Sequence, residues 1–400
     1  MPKPKIIKTE DIFAWETKSR VLNPVVDYFN GNLFLGVYVP CHRNQKVIRG
    51  EKIQDEVSLV RLPAIIHYNK EEKIKKIELL DTETMLANGY EFSGIHADTE
   101  RWHHKKINDF INNEHSQKTL QETYDEIKDQ LKYYIELSDE REYDLVVCWI
   151  IATYFHQVFN TFPYLFLNAT KQAGKTKLLT FCSCLAFNAV PTLCQTGASL
   201  FRMTQELRPT FLLDETEKFG KKDENDYRSL LLARYKKGMK VWRIEEESYN
   251  NKKVRVARGY EVYGPTLLSN ISGLDDVLED RTINITLKRT KNFLIANREI
   301  EIDNKCWEEY RNLLYINLFR NYEEIHKLYK ILTEIVSFYV EDVDKQVDEG
   351  VEIDKKLERL TNIYMEKFGV YKDCSSESIS SSESRGKKSM NVFSNNSNFM

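Results

Sequence analysis

The 400-residue chain carries 58 Lys and Arg against 61 Asp and Glu, a net charge of −3, with 42% hydrophobic and 30% charged residues. That apolar share is enough for packed cores, which excludes a globally disordered chain; the balanced charge excludes a uniformly basic nucleic-acid coat but allows a local basic patch. Scarce glycine (15) and proline (9) exclude collagen-like and elastic sequences.

At roughly 100–200 residues per domain, the length predicts two or three domains. The seven cysteines, Cys41, Cys148, Cys182, Cys184, Cys194, Cys306 and Cys374, are odd in number and irregular in spacing. None forms a CxxC pair, and Cys182-Ser-Cys184 is too tight for a zinc knuckle. They read as small hydrophobes of a protein in a reducing cytosol, and a cytoplasmic location is expected. The first residues, MPKPKIIKTEDIFAW, lack the apolar stretch of a signal peptide. The most apolar run, Leu145 to Phe155, is far shorter than the roughly 20 residues of a membrane span and reads as a buried helix.

In chain order, residues 1–115 show short alternating bursts such as Leu33–Val39, Val57–Leu62 and Lys76–Leu80. Turn signals at Asn30-Gly31-Asn32 and Asn88-Gly89 separate them, predicting a β-rich domain. Trp102-His103-His104-Lys105-Lys106 follows. Adjacent helical histidines point about 100° apart, so a solvated helix start is expected rather than a metal site. Residues 117–137 carry Leu120, Tyr124, Ile127, Leu131, Tyr134 and Ile135 at helical spacing. A second, buried helix is expected over about Tyr143 to Phe159. From Tyr164 to about residue 290, strands and helices alternate as in a parallel α/β sheet. Residues 293–373 return to helix, expected as a lid or bundle. The serine-rich segment 374–400 has the composition of a disordered tail.

Residues 169–176 read Ala-Thr-Lys-Gln-Ala-Gly-Lys-Thr. The phosphate-binding loop has Gly, four residues, then Gly-Lys-Ser/Thr, and here Ala169 stands at the first glycine. Backbone N–H groups of Ala169, Thr170, Lys171, Gln172, Ala173 and Gly174, with the next helix's N-terminus, make an anion nest. Gly174 lets the chain pass close to the phosphates, Lys175 reaches the β- and γ-phosphates, and Thr176 presents a hydroxyl to Mg²⁺. The triplet alone is weak; the apolar strand Tyr164–Leu167 before it and the apolar helix after it supply the required context.

Thr210-Phe-Leu-Leu-Asp214-Glu215 is a buried strand with two carboxylates at its C-terminal end, the end where ligands bind in open parallel sheets. Asp214 is expected to orient Mg²⁺ and Glu215 to act as general base toward the attacking water. A second strand, Pro265–Asn270, ends in polar residues. Asn270, with Ser269 as the alternative, takes the position that senses the γ-phosphate, though Ser and Asn also favour strand-end turns. Arg281 precedes a further strand. It fits either an arginine finger to a neighbouring subunit or a surface charge pair with Asp280.

Between these strands lie Arg234, Lys236, Lys237, Lys240 and Arg243, then Glu245-Glu246-Glu247, then Lys252, Lys253, Arg255 and Arg258. The alternation predicts a hairpin with Asn250-Asn251 near its tip. Lys252, Lys253 and Arg255, with aromatic residues in reach, suit a grip on single-stranded DNA. A solvated hairpin beside the nucleotide is the other reading, and the acidic triplet interrupts a continuous basic surface.

Tyr164–Thr176, the run Ser199–Arg202 before Arg208–Glu215, and Leu278–Arg281 together resemble a P-loop ATPase family of plasmids and phages, related to superfamily-three and AAA+ helicase-like ATPases. The resemblance covers about residues 120–290. It implies a ring-forming ATPase of a mobile element, coupled to replication. Ala169 departs from the family pattern, and residues 1–100 show no primase-type acidic cluster.

The expected fold is therefore α/β: a P-loop NTPase, AAA+-like parallel-sheet core over residues 116–292, with an N-terminal β-rich domain and a C-terminal helical region. The expected activity is ATP hydrolysis with Mg²⁺, in a homo-oligomeric ring that moves along or remodels DNA. A nucleotide-gated assembly protein that does not translocate nucleic acid, and a degenerate ATPase, are the alternatives.

Overall fold

The computed structural model describes residues 20–23, 25–49, 52–79, 90–92, 101–169, 173–192, 197–214, 221–249, 252–270, 274 and 276–343. Thr170, Lys171, Gln172, Glu215, Asn250, Asn251 and the segment 374–400 lie outside these residues.

Strand β1 (Arg20–Leu22) pairs in parallel with β6 (Tyr90–Phe92). Strands β2 (Val26–Phe29), β3 (Asn32–Arg49), β4 (Lys52–Asn69) and β5 (Ile74–Leu79) form an antiparallel meander. The first turn is Asn30-Gly31, with φ of +49° and +75°, the left-handed pair that a two-residue hairpin needs. Its register sets Phe29 opposite Asn32. Consecutive residues Leu33, Phe34 and Leu35 on β3, and Ala64, Ile65 and Ile66 on β4, are all buried, with Leu35 opposite Ile66. The root of this sheet is thus covered on both faces: Leu22, Phe34 and Ile65 pack together, while Tyr68 meets Phe110 and Phe319.

Helix α1 (His104–Ile111) begins at His103, whose Nδ1 accepts from the Lys105 N–H at 3.3 Å. The double histidine thus opens a helix, as its sequence context suggested. Helix α2 (Leu120–Tyr134) starts in a capping box between Thr119 and Glu122. Helix α3 (Glu140–Tyr154) is capped by Asp139 and buries Val146, Val147, Trp149 and Ile150. A 3-10 turn over His156–Val158 leads toward the central sheet.

The remaining strands are β7 (Tyr164–Ala169), β8 (Ala189–Thr192), β9 (Thr210–Leu213), β10 (Lys240–Tyr249), β11 (Lys252–Glu261), β12 (Thr266–Asn270) and β13 (Thr282–Leu287). Between them run α4 (Lys175–Leu185), α5 (Gly197–Leu207), α6 (Lys221–Arg234) and α7 (Asp276–Glu279), and after them α8 (Phe293–Asn297) and α9 (Lys305–Val343). Five strands make one sheet in the order β13-β7-β12-β9-β8. The pairs β7–β12, β12–β9 and β9–β8 are parallel. Every residue of β9 is buried, which is why it reads as a continuous apolar run rather than an alternating one.

The fold is therefore mixed α/β, with a five-stranded sheet of parallel pairs and an N-terminal antiparallel sheet, an arrangement consistent with a P-loop-like fold. The chain divides into two compact units, residues 1–273 with 283–322, and residues 274–282 with 323–400. Among the described residues no helix is long and apolar enough to cross a membrane.

Candidate nucleotide site and hairpin

Ala169, buried, ends β7, and the chain re-emerges at Ala173 and Gly174 before α4. Gly174 has φ +93°, the left-handed conformation that a side chain resists, and a Cβ built there would meet nothing within 4 Å. Glycine is required by the backbone, and among the described residues the space above it is open. Its carbonyl accepts from the Leu178 N–H at 3.0 Å, which closes the first turn of α4. Lys175 and Thr176 are the first two residues of that helix; Lys175 is half-buried and Thr176 exposed.

The other end of α4 is closed by side chains. Arg101 Nη2 donates to the carbonyls of Ser183 and Ala186 at 2.9 and 3.0 Å. Arg311 Nη1 donates to Cys184 at 2.8 Å, and the Tyr154 hydroxyl to Leu185 at 2.9 Å. Burial pushes the Arg101 guanidinium below the usual arginine range. Two cations thus sit at the negative end of the helix dipole, while its positive end opens at the loop.

Parallel register places the remaining site residues at one end of the sheet. Asn270 on β12 pairs with Asn168 on β7, one residue before Ala169. Leu268 pairs with Leu213 on β9, the residue before Asp214. Ala169 and Asn270 therefore end, and Asp214 directly follows, three adjacent strands. Asp214 is half-buried. Asn270 and Lys252 are placed by their backbones alone. Ser269, fully buried, has a hydroxyl without a hydrogen-bond partner among the described residues, an orphaned polar group at this end of the sheet. Arg281 follows α7 in the second unit, where its N–H donates to the Leu278 carbonyl at 3.1 Å.

Strands β10 and β11 pair over their whole length, from Lys240 opposite Glu261 to Tyr249 opposite Lys252, leaving Asn250-Asn251 between them. One hairpin face packs inward. Val241 and Tyr260 are buried. The Arg243 guanidinium lies 4.4 Å above the Phe201 ring. Glu245 holds Arg202 at 2.6 Å and accepts from the Tyr260 hydroxyl. Those two partners keep its carboxyl below the usual range. The other face is open: Trp242 is 62% and Ile244 75% exposed, beside Lys253 and Arg255. A Cβ on Gly259 would come within 3.1 Å of the Trp242 ring, so the glycine lets the indole lie flat across the neighbouring strand. Glu246 pairs with Lys253 (3.4 Å) and Arg255 (3.9 Å). Glu246 of the acidic triplet thus faces the basic strand and lowers its net field.

Arg234 does not join this surface. It is fully buried at the end of α6, and its guanidinium donates to Thr266 Oγ1 (2.8 Å), to the carbonyls of Val262 (3.1 Å) and Pro265 (2.9 Å), and to that of Pro209. It also lies 4.3 Å over the Phe211 ring. Burial pulls its pKa down to about 9. A Cβ on Gly264 would reach its Nη2 at 2.9 Å, so the guanidinium occupies the room a side chain would take. The run Leu230-Leu-Leu-Ala233 before it was the available signal for burial. Arg208, at φ +43°, is the second arginine missed in the sequence. It donates to the Val26 carbonyl and lies 3.8 Å from Asp27 and 3.9 Å from Glu261, tying the N-terminal sheet to the hairpin base.

No protein-family model matches the chain, and no curated protein matches it. Among solved structures it is similar to a full-length MCM homologue from Methanopyrus kandleri, at 12% identity over 80% of this chain and 67% of that one, with a TM-score of 0.33. It is also similar to NtrX from Brucella abortus in complex with ATP, at 12% identity over 52% of this chain and 50% of that one, with a TM-score of 0.22. Both TM-scores are too low to carry an argument about this chain.

Proposed function

We propose that the chain is a P-loop ATPase of AAA+-like architecture that binds and hydrolyses ATP. The observation that carries this reading is Gly174: a left-handed glycine between a buried strand and Lys175-Thr176, at the sheet end that Asp214 and Asn270 share. Phosphates are held by the loop N–H groups from Ala169 to Gly174 and by Lys175. Thr176 and Asp214 would hold Mg²⁺, which supplies charge neutralisation on the phosphates when bound. The exposed Thr176 hydroxyl, the half-buried Asp214 and the open space over Gly174 fit such a group. Glu215 takes a proton from the attacking water as the γ-phosphorus bond to the bridging oxygen breaks, and Asn270 positions that water. Arg281 serves a neighbouring subunit in a homo-oligomeric ring.

The open hairpin face supports a coupled role on single-stranded DNA: Trp242 offers a stacking surface and Lys253 and Arg255 the charge, with Lys252 of the expected basic set following Asn250-Asn251 at the start of β11. A helicase-like translocase or remodeller in the cytoplasm, serving replication of a mobile element, is the corresponding biological reading. The ion pairs of Glu246 favour the second reading, a nucleotide-gated assembly protein without translocation. ATP turnover measured with and without single-stranded DNA, together with Lys175→Ala, decides between them. Turnover that depends on Lys175 and rises with DNA supports the translocase. Turnover that depends on Lys175 but ignores DNA supports the assembly protein. No Lys175-dependent turnover overturns both ATPase readings.

A further inference from the structure

The segment that leaves β13 is pinned against the first turn of α4. Lys177, the residue after Thr176, donates its Nζ to the carbonyls of Ile295 (2.8 Å) and Ala296 (3.2 Å). The same segment is held to the end of α2. Arg298 Nη1 donates to the Tyr133 carbonyl at 2.7 Å, its guanidinium lies 3.9 Å over the Tyr133 ring, and the Thr290 hydroxyl bonds Glu136. Asn292 caps α8 by accepting from the Leu294 N–H at 3.0 Å. The short helix is thus fixed at both flanks.

Fixed in this way, it presents large apolar groups to solvent. Phe293 is 76% and Leu294 66% exposed, and Tyr133 on the helix to which the segment is tied is exposed as well. Scattered exposed side chains are ordinary, but two adjacent ones on a preorganised segment that touches the phosphate-loop helix mark a ligand surface. A nucleoside triphosphate held by its phosphates at Lys175 and Thr176 still has a ribose and a flat base to place. A base has apolar faces that gain from aromatic and aliphatic contact and lose little conformational freedom when stacked.

We infer that Phe293 and Leu294, on the segment that Arg298 ties to Tyr133, form the nucleobase subsite of this ATPase. The inference rests on the nucleotide reading proposed above and adds the element that separates ATP from bare phosphate. α8 takes the base, α4 takes the phosphates, and Lys177 fixes the distance between the two. A second copy of this chain covering the same patch is the competing occupant.

Titration calorimetry in Mg²⁺ with ATP and with inorganic tripolyphosphate tests it on the full chain. The parent protein is expected to bind ATP about 5- to 150-fold more tightly than tripolyphosphate, since stacking a base contributes roughly 1–3 kcal/mol. Phe293→Ala with Leu294→Ala should lose that advantage while tripolyphosphate binding and mass in solution stay unchanged. Both side chains are exposed, so folding should survive. Lys175→Ala should weaken both ligands. ATP affinity unchanged in the double variant, with Lys175→Ala still disruptive, overturns the base subsite alone. A lower mass at unchanged ATP affinity overturns it in favour of a contact between copies. Equal loss for both ligands in the double variant overturns it as well. If the parent protein binds neither ligand, the nucleotide reading falls and this one with it.

Discussion

Arg311 Nε donates to the backbone carbonyl of Arg101 at 3.1 Å, and the guanidiniums of both residues end on the last carbonyls of α4. The first turn of that helix carries Lys175 and Thr176. Removing the α9 partner leaves the Cys184 and Arg101 carbonyls short of donors in a largely buried site. Arg311→Met should therefore destabilise the chain by roughly 1–3 kcal/mol, the cost of buried groups left unpaired. Urea unfolding at neutral pH measures it; a loss below a few tenths of a kcal/mol would show that the helix end is satisfied by water.

His156 gives the stability a pH dependence. It is fully buried, with Nδ1 2.8 Å from the Thr153 carbonyl. A carbonyl only accepts, so Nδ1 carries the proton and Nε2, which has no partner among the described residues, is bare. Burial pulls its pKa from 6.5 down to about 3, against a smaller upward push from the Thr153 bond. The folded state thus holds the neutral ring while the unfolded state protonates near 6.5. Between pH 6.5 and about 3 the unfolded chain binds the extra proton, so stability falls as the pH falls through this window. The slope approaches about 1.4 kcal/mol per pH unit. Urea midpoints over that range should flatten in His156→Phe relative to the parent; an unchanged slope would assign the acid sensitivity to other groups.

The left-handed glycine at the start of α4, the strand before it and the strand that leads to Asp214 were legible because each rests on local chemistry. A required left-handed glycine, a helix N-terminus and a fully buried apolar strand all leave signatures within about ten residues of sequence. The hairpin strands were legible from their alternation of apolar and polar residues. Its sidedness was not. Whether Glu245 faces Arg202 or solvent depends on α5, more than forty positions away, and sequence spacing carries no such information. Arg234 failed for a related reason. Counted with neighbouring lysines it reads as surface charge, yet it is enclosed by the carbonyls of Pro209 and of Val262 and Pro265, two segments brought together only by sheet formation. Residues 33–35 show the same limit in the N-terminal sheet: alternation suggested one buried face, and packing from both sides buries all three.

Gly174 should tolerate no side chain without losing ligand. At φ +93° an alanine is strained by about 1–2 kcal/mol, but its Cβ would meet nothing within 4 Å. Gly174→Ala should therefore fold with a modest drop in melting temperature and bind ATP at least tenfold more weakly, because the relaxed loop no longer directs its N–H groups at the phosphates. Calorimetry and a thermal melt on the same sample separate the two effects. Unchanged ATP affinity would mean that the loop does not cradle phosphate.

The hairpin separates stacking from charge on its open face. Trp242 is exposed with its ring over Gly259, so Trp242→Ala leaves the fold within about 0.5 kcal/mol and tests stacking alone. Single-stranded DNA affinity should fall by roughly 1–3 kcal/mol, with the dependence on salt unchanged. Lys253→Ala with Arg255→Ala should weaken binding and also flatten the salt dependence, because fewer counterions are released. Glu246→Gln acts in the opposite direction. It removes the carboxylate that lies 3.4 Å from Lys253 and 3.9 Å from Arg255, and frees both cations for a phosphate backbone. Exposed pairs of this kind are worth at most about 1 kcal/mol, so DNA affinity should rise by up to about fivefold, most clearly at low salt. Fluorescence anisotropy with a labelled oligonucleotide across a salt series reads all three variants. If Trp242→Ala and Lys253→Ala/Arg255→Ala leave binding unchanged while ATP turnover persists, the hairpin serves assembly and not nucleic acid.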